Sequence, residues 1–211
     1  ISAGVTYTHF LYNYQQNNFM SNAHVGQQKM ETNGSAKLFQ SFIQYKLQVN
    51  DKKMSISPGL HYQYFAYNNT YAVEPRLSMA YILTESHEFT FGLGKHSQLL
   101  PVNAYFLHES LQQHPESPDV ALDFQRSMHY VLGHKWLIND ILKLNTEFYY
   151  QNLYHVPVDY KQESSWSMIN GINQNFNGNQ PVFLSGDGRG KNYGMDLSLQ
   201  YSNDNGWHSM I

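Results

Sequence analysis

Large apolar residues and small or polar residues alternate along most of the chain. In the stretch YGMDLSLQYS, which begins at Tyr193, every second residue is large and apolar. A period of two is typical of a β-strand with one apolar face and one polar face. The pattern predicts eight strands and the start of a ninth, at about 2–14, 36–49, 54–67, 74–84, 88–98, 123–138, 142–156, 191–202 and from 207.

The predicted strands are long, and the connections between them alternate in length. Several predicted strands have 11 or more residues. They are therefore long enough to cross a bilayer, because a tilted β-strand needs about 9–11 residues to do so. Short polar turns are predicted at 50–53, 84–87, 139–140 and 203–206. Longer connections are predicted at 15–35, 68–72, 99–122 and 157–190. This rhythm is typical of an outer-membrane barrel, which has short periplasmic turns and long extracellular loops.

The alternation divides each strand between a predicted lipid face and a predicted lumen face. We place these residues on the lipid face: Leu77, Met79, Tyr81, Leu83, Phe89, Phe91, Leu93, Phe124, Met128, Tyr130, Leu132, Trp136, Leu142, Leu144, Phe148 and Tyr150. Trp136, Tyr154 and Trp207 suit aromatic girdles at the membrane interfaces. The same alternation also occurs in a half-buried sheet of a soluble protein.

Two stretches do not fit the simple pattern. GVTYTHFLYNY, from Gly4 to Tyr14, carries large residues at both odd and even positions, so its two faces are ambiguous. Pro58 lies inside the third predicted strand and cannot donate a backbone hydrogen bond. It therefore marks a sheet edge, a bulge, or a strand that begins later than predicted.

The composition narrows the function classes. Charged residues make up 14% of the 211 residues, against about 25% in soluble domains. A net charge of −3 gives no basic footprint for nucleic acid, and the absence of cysteine excludes disulfides and thiolate metal sites. No apolar run approaches the ~18 residues of a membrane-spanning helix. The chain begins mid-pattern at Ile1 without a signal peptide, so we expect an upstream part of the protein to be missing.

Three stretches carry motifs beyond the alternation. The first contains Glu74–Pro75–Arg76 and, after a hairpin, GKHSQ at 94–98. The second is DFQRSMHYVLG at 123–133, and the third is GKNYGMDL at 190–197. In this order they resemble the C-terminal half of the barrel of TonB-dependent outer-membrane receptors. The likeness is closest to the branch in which a carboxypeptidase-regulatory-like domain precedes the plug. It covers 54–211 well and 1–53 more loosely.

The resemblance implies an all-β, antiparallel transmembrane barrel of about 22 strands with a folded plug inside. Residues 1–211 would be a single barrel segment of about nine strands, with the plug domain outside this chain. Such receptors lie in the outer membrane of Gram-negative bacteria, in contact with its lipid. They import scarce solutes such as iron chelates, haem, cobalamin, glycans or peptides. The TonB–ExbB–ExbD complex supplies the energy through the N-terminal region, and a surface lipoprotein partner is left open.

Candidate ligand contacts lie in the long loops, since recognition concentrates on loops held by a rigid scaffold. Aromatic and amide side chains there suit a sugar, peptide or chelate; the candidates are Tyr105, Phe106, His108, Trp166, Asn173 and Phe183. Polar residues predicted to face the lumen are Arg76, His96, His129, Glu147 and Asp196.

Some lumen-facing residues are expected to meet. We expect His96 and His129 to be close across neighbouring strands. Arg76 and Arg126 are expected to form ion pairs in the lumen with carboxylates such as Glu74 and Asp123.

No motif indicates catalysis, a resident metal or a cofactor. The histidines form no metal-ligand spacing, and GDGRGK at 186–191 lacks the spacing of a phosphate-binding loop. No acid–base pair or catalytic triad is specified, so we expect a transport protein rather than an enzyme.

Two rival functions remain, a passive porin or channel and a soluble glycan-binding β-sandwich. A nine-strand piece would leave two unpaired edges, so we do not expect it to insert or transport alone.

Overall fold

The computed structural model describes residues 1–18, 28–102, 104–105, 122–160, 166–170, 184–202 and 208–210. These residues form one antiparallel sheet of ten strands. The strands are β1 (Ser2–Asn18), β2 (Gln28–Gln44), β3 (Leu47–Val49), β4 (Met54–Phe65), β5 (Thr70–Thr84), β6 (His87–Gln98), β7 (Gln125–Asn139), β8 (Leu142–Asp159), β9 (Leu184–Ser202) and β10 (His208–Met210). A short 3₁₀ turn covers Met168–Asn170.

The strands follow one another across the sheet in the order β1-β2-β4-β5-β6-β7-β8-β9-β10, and β3 pairs with β4. The sheet is not closed, as expected for part of a barrel wall, and the predicted all-β antiparallel fold is confirmed. Eight of the strands contain 12 to 19 residues. Among the described residues, no helix is long and apolar enough to cross a membrane.

Most strand bounds agree with the prediction, but several strands extend into the predicted loops. β1 continues to Asn18, β2 begins at Gln28, and β9 begins at Leu184. Polar residues dominate these extensions, so the hydrophobic pattern could not reveal them. The turn at 50–53 is confirmed: the Lys53 amide donates to the Asn50 carbonyl at 2.9 Å. The predicted turn at 203–206 and Trp207 lie outside the described residues.

Pro58 interrupts the sheet as its chemistry requires. The predicted strand 36–49 is split into β2 and β3, and the break at Tyr45–Lys46 lies opposite Pro58. Proline lacks the N–H that the opposing strand would accept. The Pro58 carbonyl still accepts a bond from the Tyr45 amide at 3.0 Å. The register is the same on both sides of the break, and β4 begins at Met54 inside the sheet. Pro58 therefore marks a gap in the ladder, and the predicted alternatives of a sheet edge, a bulge and a later strand start are wrong.

The register aligns the apolar residues of β5–β9 in continuous rows on one face, called here the outer face. One row reads Met79, Phe91, Leu132, Phe148 and Met195. Leu132 is 53% and Met195 58% exposed, and no second layer covers them in the described part of the chain. The rows end on aromatic borders, with Trp136 near the short turns and Tyr130, Tyr150 and Tyr193 toward the long loops.

The opposite face, called the inner face, carries the polar residues and also an apolar cluster near the long loops. This cluster resolves the ambiguity of β1, because Phe10 and Tyr12 pack against it while Val5 and Leu11 lie exposed on the outer face. Its buried members include Ala36, Leu38, Phe65, Ala72, Leu100, Ala104, Tyr105, Leu122, Phe124 and Leu184. The lipid-face prediction for Phe124 is wrong. Phe124 precedes β7, and its side chain turns into the cluster with 0% exposure.

Substitutions at two adjacent residues of β9 test whether the outer face meets lipid and the inner face meets water. We predict that Leu197→Arg, on the outer face near the middle of the apolar band, destabilises the protein in a bilayer by about 2–4 kcal/mol. Ser198→Arg, on the inner face, should cost less than about 1 kcal/mol. Denaturant unfolding of the intact gene product in phospholipid vesicles measures both. Equal costs would contradict a division between lipid and lumen.

Candidate functional site

A gap in the strand ladder lies between β5 and β6, toward the long loops. The two strands pair from Thr84 opposite His87 to Arg76 opposite Gly94. Beyond Arg76, toward the long loops, these described strands do not pair with each other. The next residue of β5 is Pro75, which has no backbone N–H to donate. The rest of β5 continues to pair with β4, and the rest of β6 with β7. The wall therefore needs other groups to join β5 to β6 here.

Two inner-face side chains join the strands across the gap. The Ser97 amide of β6 donates to Glu74 Oε1 of β5 at 3.0 Å. Gln63 Nε2 of β4 donates to the Ser97 carbonyl at 2.9 Å and to Glu74 Oε1 at 2.5 Å. Both backbone groups of Ser97 thus bond to side chains, in place of the bonds a neighbouring strand would make.

Glu74 is the centre of this arrangement, although its side chain is 0% exposed. Arg76 Nη2 donates to Glu74 Oε2 at 2.5 Å, and His61 Nδ1 lies 3.0 Å from the same oxygen. A buried carboxylate is costly unless it is paired and hydrogen-bonded. Four groups stabilise this one, and we call His61, Gln63, Glu74, Arg76 and Ser97 the Glu74 cluster. The predicted pairing of Arg76 with Glu74 is confirmed.

A concavity of about 420 Å³ opens on the inner face beside the Glu74 cluster. Its polar lining residues are Gln44, Ser57, His61, Arg76, Ser78, His96 and His129. Glycines form part of its floor; they are Gly59, Gly92 and Gly94. Where Gly94 lies, an added Cβ would be 2.9 Å from His96 Nε2 and 3.3 Å from Arg76 Cγ, so the glycine makes room for both side chains.

The two histidines meet as predicted. The ring centroids of His96 and His129 are 4.4 Å apart, and Ser127 Oγ lies 2.7 Å from His129 Nε2. Imidazoles and a half-exposed guanidinium can exchange hydrogen bonds with a polar solute. No group of three or more metal-binding side chains is found in the described part of the chain.

Glu147 and Asp196 lie directly opposite each other on the inner face of β8 and β9, and both are exposed. They are separate from the Glu74 cluster. Nearer the short turns, Lys135 Nζ contacts Glu88 Oε2 at 3.1 Å. The inner wall of the described strands therefore carries charges of both signs.

Arg126 pairs with Asp123, as predicted, but not in the lumen. Arg126 lies on the outer face with Met128 and Tyr130, and its Nη2 also donates to the Tyr71 carbonyl at 3.2 Å. Asp123 precedes β7, so strand alternation does not determine its side. It lines an outer-face groove with Tyr71 and Arg126. The prediction that Asp123 and Arg126 face the lumen is wrong.

Among the loop candidates, the structure describes Tyr105 and Trp166. Tyr105 is 3% exposed and packs on Phe65 with ring centroids 5.2 Å apart. Burial raises the pKa of its hydroxyl, which accepts a bond from the Leu100 amide at 3.4 Å. Trp166 is partly buried at the margin of the same cluster. The remaining candidates lie outside the described residues; they are Phe106, His108, Asn173 and Phe183.

The sequence alone did not single out His61 and Gln63. Both are on the inner face of β4, opposite Glu74 and Ala72 respectively. The alternation in HYQY could have indicated that they face the lumen, since it places His61 and Gln63 on the face away from Tyr62 and Tyr64. Their role depends on the register between β4 and β5, which alternation does not specify.

Solved structures with this fold include the FrpB iron transporter from Neisseria meningitidis in its apoprotein form, with a TM-score of 0.55 and 14% identity over 82% of this chain. The ferric-catecholate import receptor Fiu from E. coli gives 0.58 and 13% over 94%. The copper transporter OprC gives 0.59 and 10% over 98%. The sheet has the fold of part of a TonB-dependent receptor barrel.

The chain spans 24%, 32% and 33% of those three structures, respectively. No protein-family model matches the sequence. The comparison with curated proteins gives no match.

The Glu74 cluster predicts a large effect of one substitution. We predict that Glu74→Ala destabilises the protein by about 1–3 kcal/mol, because the Ser97 amide and the Gln63 side chain lose their shared acceptor. Glu88→Ala removes a carboxylate from a more exposed pair on the same face and should cost about 0.2–1 kcal/mol. Denaturant unfolding in vesicles compares the two. A Glu74→Ala cost as small as that of Glu88→Ala would contradict the bridging role.

Proposed function

We propose that this chain is part of the barrel wall of an outer-membrane receptor that imports a scarce solute with energy from the TonB–ExbB–ExbD complex. The observation that carries the proposal is the single sheet of long antiparallel strands with an uncovered apolar outer face and a polar inner face. Leu142 and Tyr150 are eight positions apart in β8, about 26 Å along the strand. At a tilt of about 40°, this length spans about 20 Å along the membrane normal, which is most of the apolar band of about 25 Å on such barrels.

The soluble β-sandwich is the weaker alternative. A sandwich packs two sheets face to face and buries the apolar residues between them. All ten described strands belong to one sheet here, and residues such as Leu132, Phe148 and Met195 are more than half exposed. A passive porin would have the same two faces, so only the source of energy distinguishes it from a receptor.

The solute class is proposed from both the wall and the loops. Histidine and arginine side chains in the inner-wall concavity can donate hydrogen bonds to the oxygen atoms of a chelate, and Trp166 offers a stacking surface near the long loops. FrpB is an iron transporter, Fiu a ferric-catecholate import receptor and OprC a copper transporter. A ferric chelate is therefore the first solute to test, ahead of a glycan or peptide.

Energised uptake is tested with the intact gene. We expect a strain carrying it to accumulate ⁵⁵Fe supplied as catecholate and citrate chelates, and to lose that uptake when TonB is deleted. A strain with the empty vector is the control. Uptake that persists without TonB would support the passive channel and overturn the energised receptor.

The contribution of the long loops to ligand binding is tested by one matched pair of substitutions. We predict that Trp166→Ala weakens binding of the imported chelate about 5-fold, since aromatic stacking contributes about 1 kcal/mol. Tyr105→Phe leaves the buried ring in place and should leave binding unchanged. Tryptophan fluorescence and equilibrium binding to the purified receptor measure both. Unchanged affinity of Trp166→Ala would remove this residue from the ligand-binding proposal.

A further inference from the structure

Two histidines interrupt the apolar outer face near the short turns. On the described outer face of β6–β9, from the Trp136 border to the tyrosine border, the polar side chains other than tyrosine are His87, His134 and Thr146. His87 lies opposite Trp136 in the border row, and His134 lies one row farther into the apolar band, opposite Phe89. An imidazole that faces lipid loses its hydration and needs a polar partner.

The two imidazoles are each other's partners. His87 Nδ1 lies 3.0 Å from His134 Nε2, and the two ring planes differ by 8° with their centroids 5.3 Å apart. In such a pair one ring nitrogen donates its hydrogen and the other accepts it. The two residues are 47 positions apart in the chain, so the spacing of histidines in the sequence could not reveal the pair.

Two aromatic side chains flank the histidine pair. The His134 ring lies against Phe89 with centroids 4.6 Å apart, and the His87 ring lies against Trp136 with centroids 5.7 Å apart. At the start of β6, the His87 amide donates to Thr84 Oγ1 at 3.2 Å. Side chains that are already confined lose little conformational entropy when they bind a ligand. The pair is therefore pre-organised for binding.

The separation of the two nitrogens suits two ligands of one metal ion. A histidine nitrogen lies about 2.0–2.1 Å from a bound zinc ion, so two of them are about 2.9 Å apart at a right angle and about 3.4 Å apart at the tetrahedral angle. The observed distance of 3.0 Å lies within this range. Each ring would tilt slightly on binding, because in the hydrogen-bonded pair the accepting lone pair points at the other ring.

The surroundings of the pair admit a cation. Glu88 and Lys135, which follow the two histidines in the chain, pair with each other on the inner face. No Lys or Arg lies on the described outer face of β6–β9 between the two aromatic borders, so no fixed positive charge there repels a metal ion. The described residues contain no group of three or more metal-binding side chains. Water at the membrane interface would therefore complete the coordination beside His87.

We propose that His87 and His134 bind one divalent transition-metal ion at the membrane interface on the short-turn side. Imidazole ligands suit Cu²⁺, Ni²⁺ and Zn²⁺, whereas Mg²⁺ and Ca²⁺ take oxygen ligands. Among these ions Cu²⁺ should bind most tightly. The site is separate from the inner-wall concavity, because it lies on the opposite face of the sheet. The inference rests on the pairing of β6 with β7 and not on energised uptake.

Substitution of each ligand in the intact gene product tests the site. His87→Gln and His134→Phe each remove one imidazole, and the phenylalanine suits the apolar row. His9→Gln removes an outer-face histidine of β1 as the matched control. Each protein is purified in dodecyl maltoside without a histidine tag and modified with diethyl pyrocarbonate at increasing concentrations of Cu²⁺, Zn²⁺ or Mg²⁺. Mass spectrometry of the peptides gives the metal concentration that protects each histidine, and the heat-dependent gel shift of a folded barrel confirms folding.

We expect Cu²⁺ and Zn²⁺ to protect His87 and His134 at the same metal concentration, and Mg²⁺ to protect neither. Loss of either ligand should raise the concentration that protects the remaining histidine by about 10-fold or more, since removal of even an outer-shell partner costs about 10-fold. His9→Gln should leave both histidines protected. Protection of one histidine without the other, unchanged protection in either single variant, or equal protection by Mg²⁺ would overturn the proposal. Iron uptake is not a readout, so failure of the transport proposal leaves this result interpretable.

Discussion

The wall of a membrane barrel depends on one constraint: backbone hydrogen-bonding groups that face lipid have no water to pair with. The long ladders from β4 to β9 meet this constraint for most of the sheet. Proline removes a donor wherever it occurs, and this chain places Pro58, Pro75 and Pro157 inside strands. At Pro58 the opposing strand breaks into two. At Pro75 the ladder to β6 ends, and the side chains of Glu74 and Gln63 bond to the backbone of Ser97 instead.

A side-chain bridge differs physically from a ladder of backbone bonds. The Glu74 carboxylate is buried and negatively charged, so it is stable only while Arg76, His61, Gln63 and Ser97 supply their donors. Loss of one donor weakens all the others, whereas loss of one ladder bond is local. The same bridge also determines how the inner wall is shaped. Arg76 is held toward Glu74, and the glycine at Gly94 leaves space for His96 beside it, which produces the concavity.

The sequence predicted the strands and most faces because alternation is a local property of each strand. Leu132, Phe148 and Met195 could be assigned to the outer face without knowing their neighbours. The prediction failed for Phe124 and Asp123, which lie before β7, and for Arg126, which lies within β7 on the outer face. It also missed the polar extensions of β1, β2 and β9, where no hydrophobic pattern exists. Histidine and glutamine partners of Glu74 depend on cross-strand register, which turns and bulges determine.

The charges on the two faces follow from their different surroundings. On the inner face a charge can be hydrated or paired at any depth, and Glu74, Lys135 and Asp196 occur along the whole wall. On the outer face a charge within the apolar band would lose its hydration without gaining a partner. On the described parts of β5–β9, the outer-face cations therefore lie beyond the tyrosine border, where long lysine side chains reach the interface. The position of Lys95 and Lys191 thus follows from the same lipid environment that requires the complete ladder.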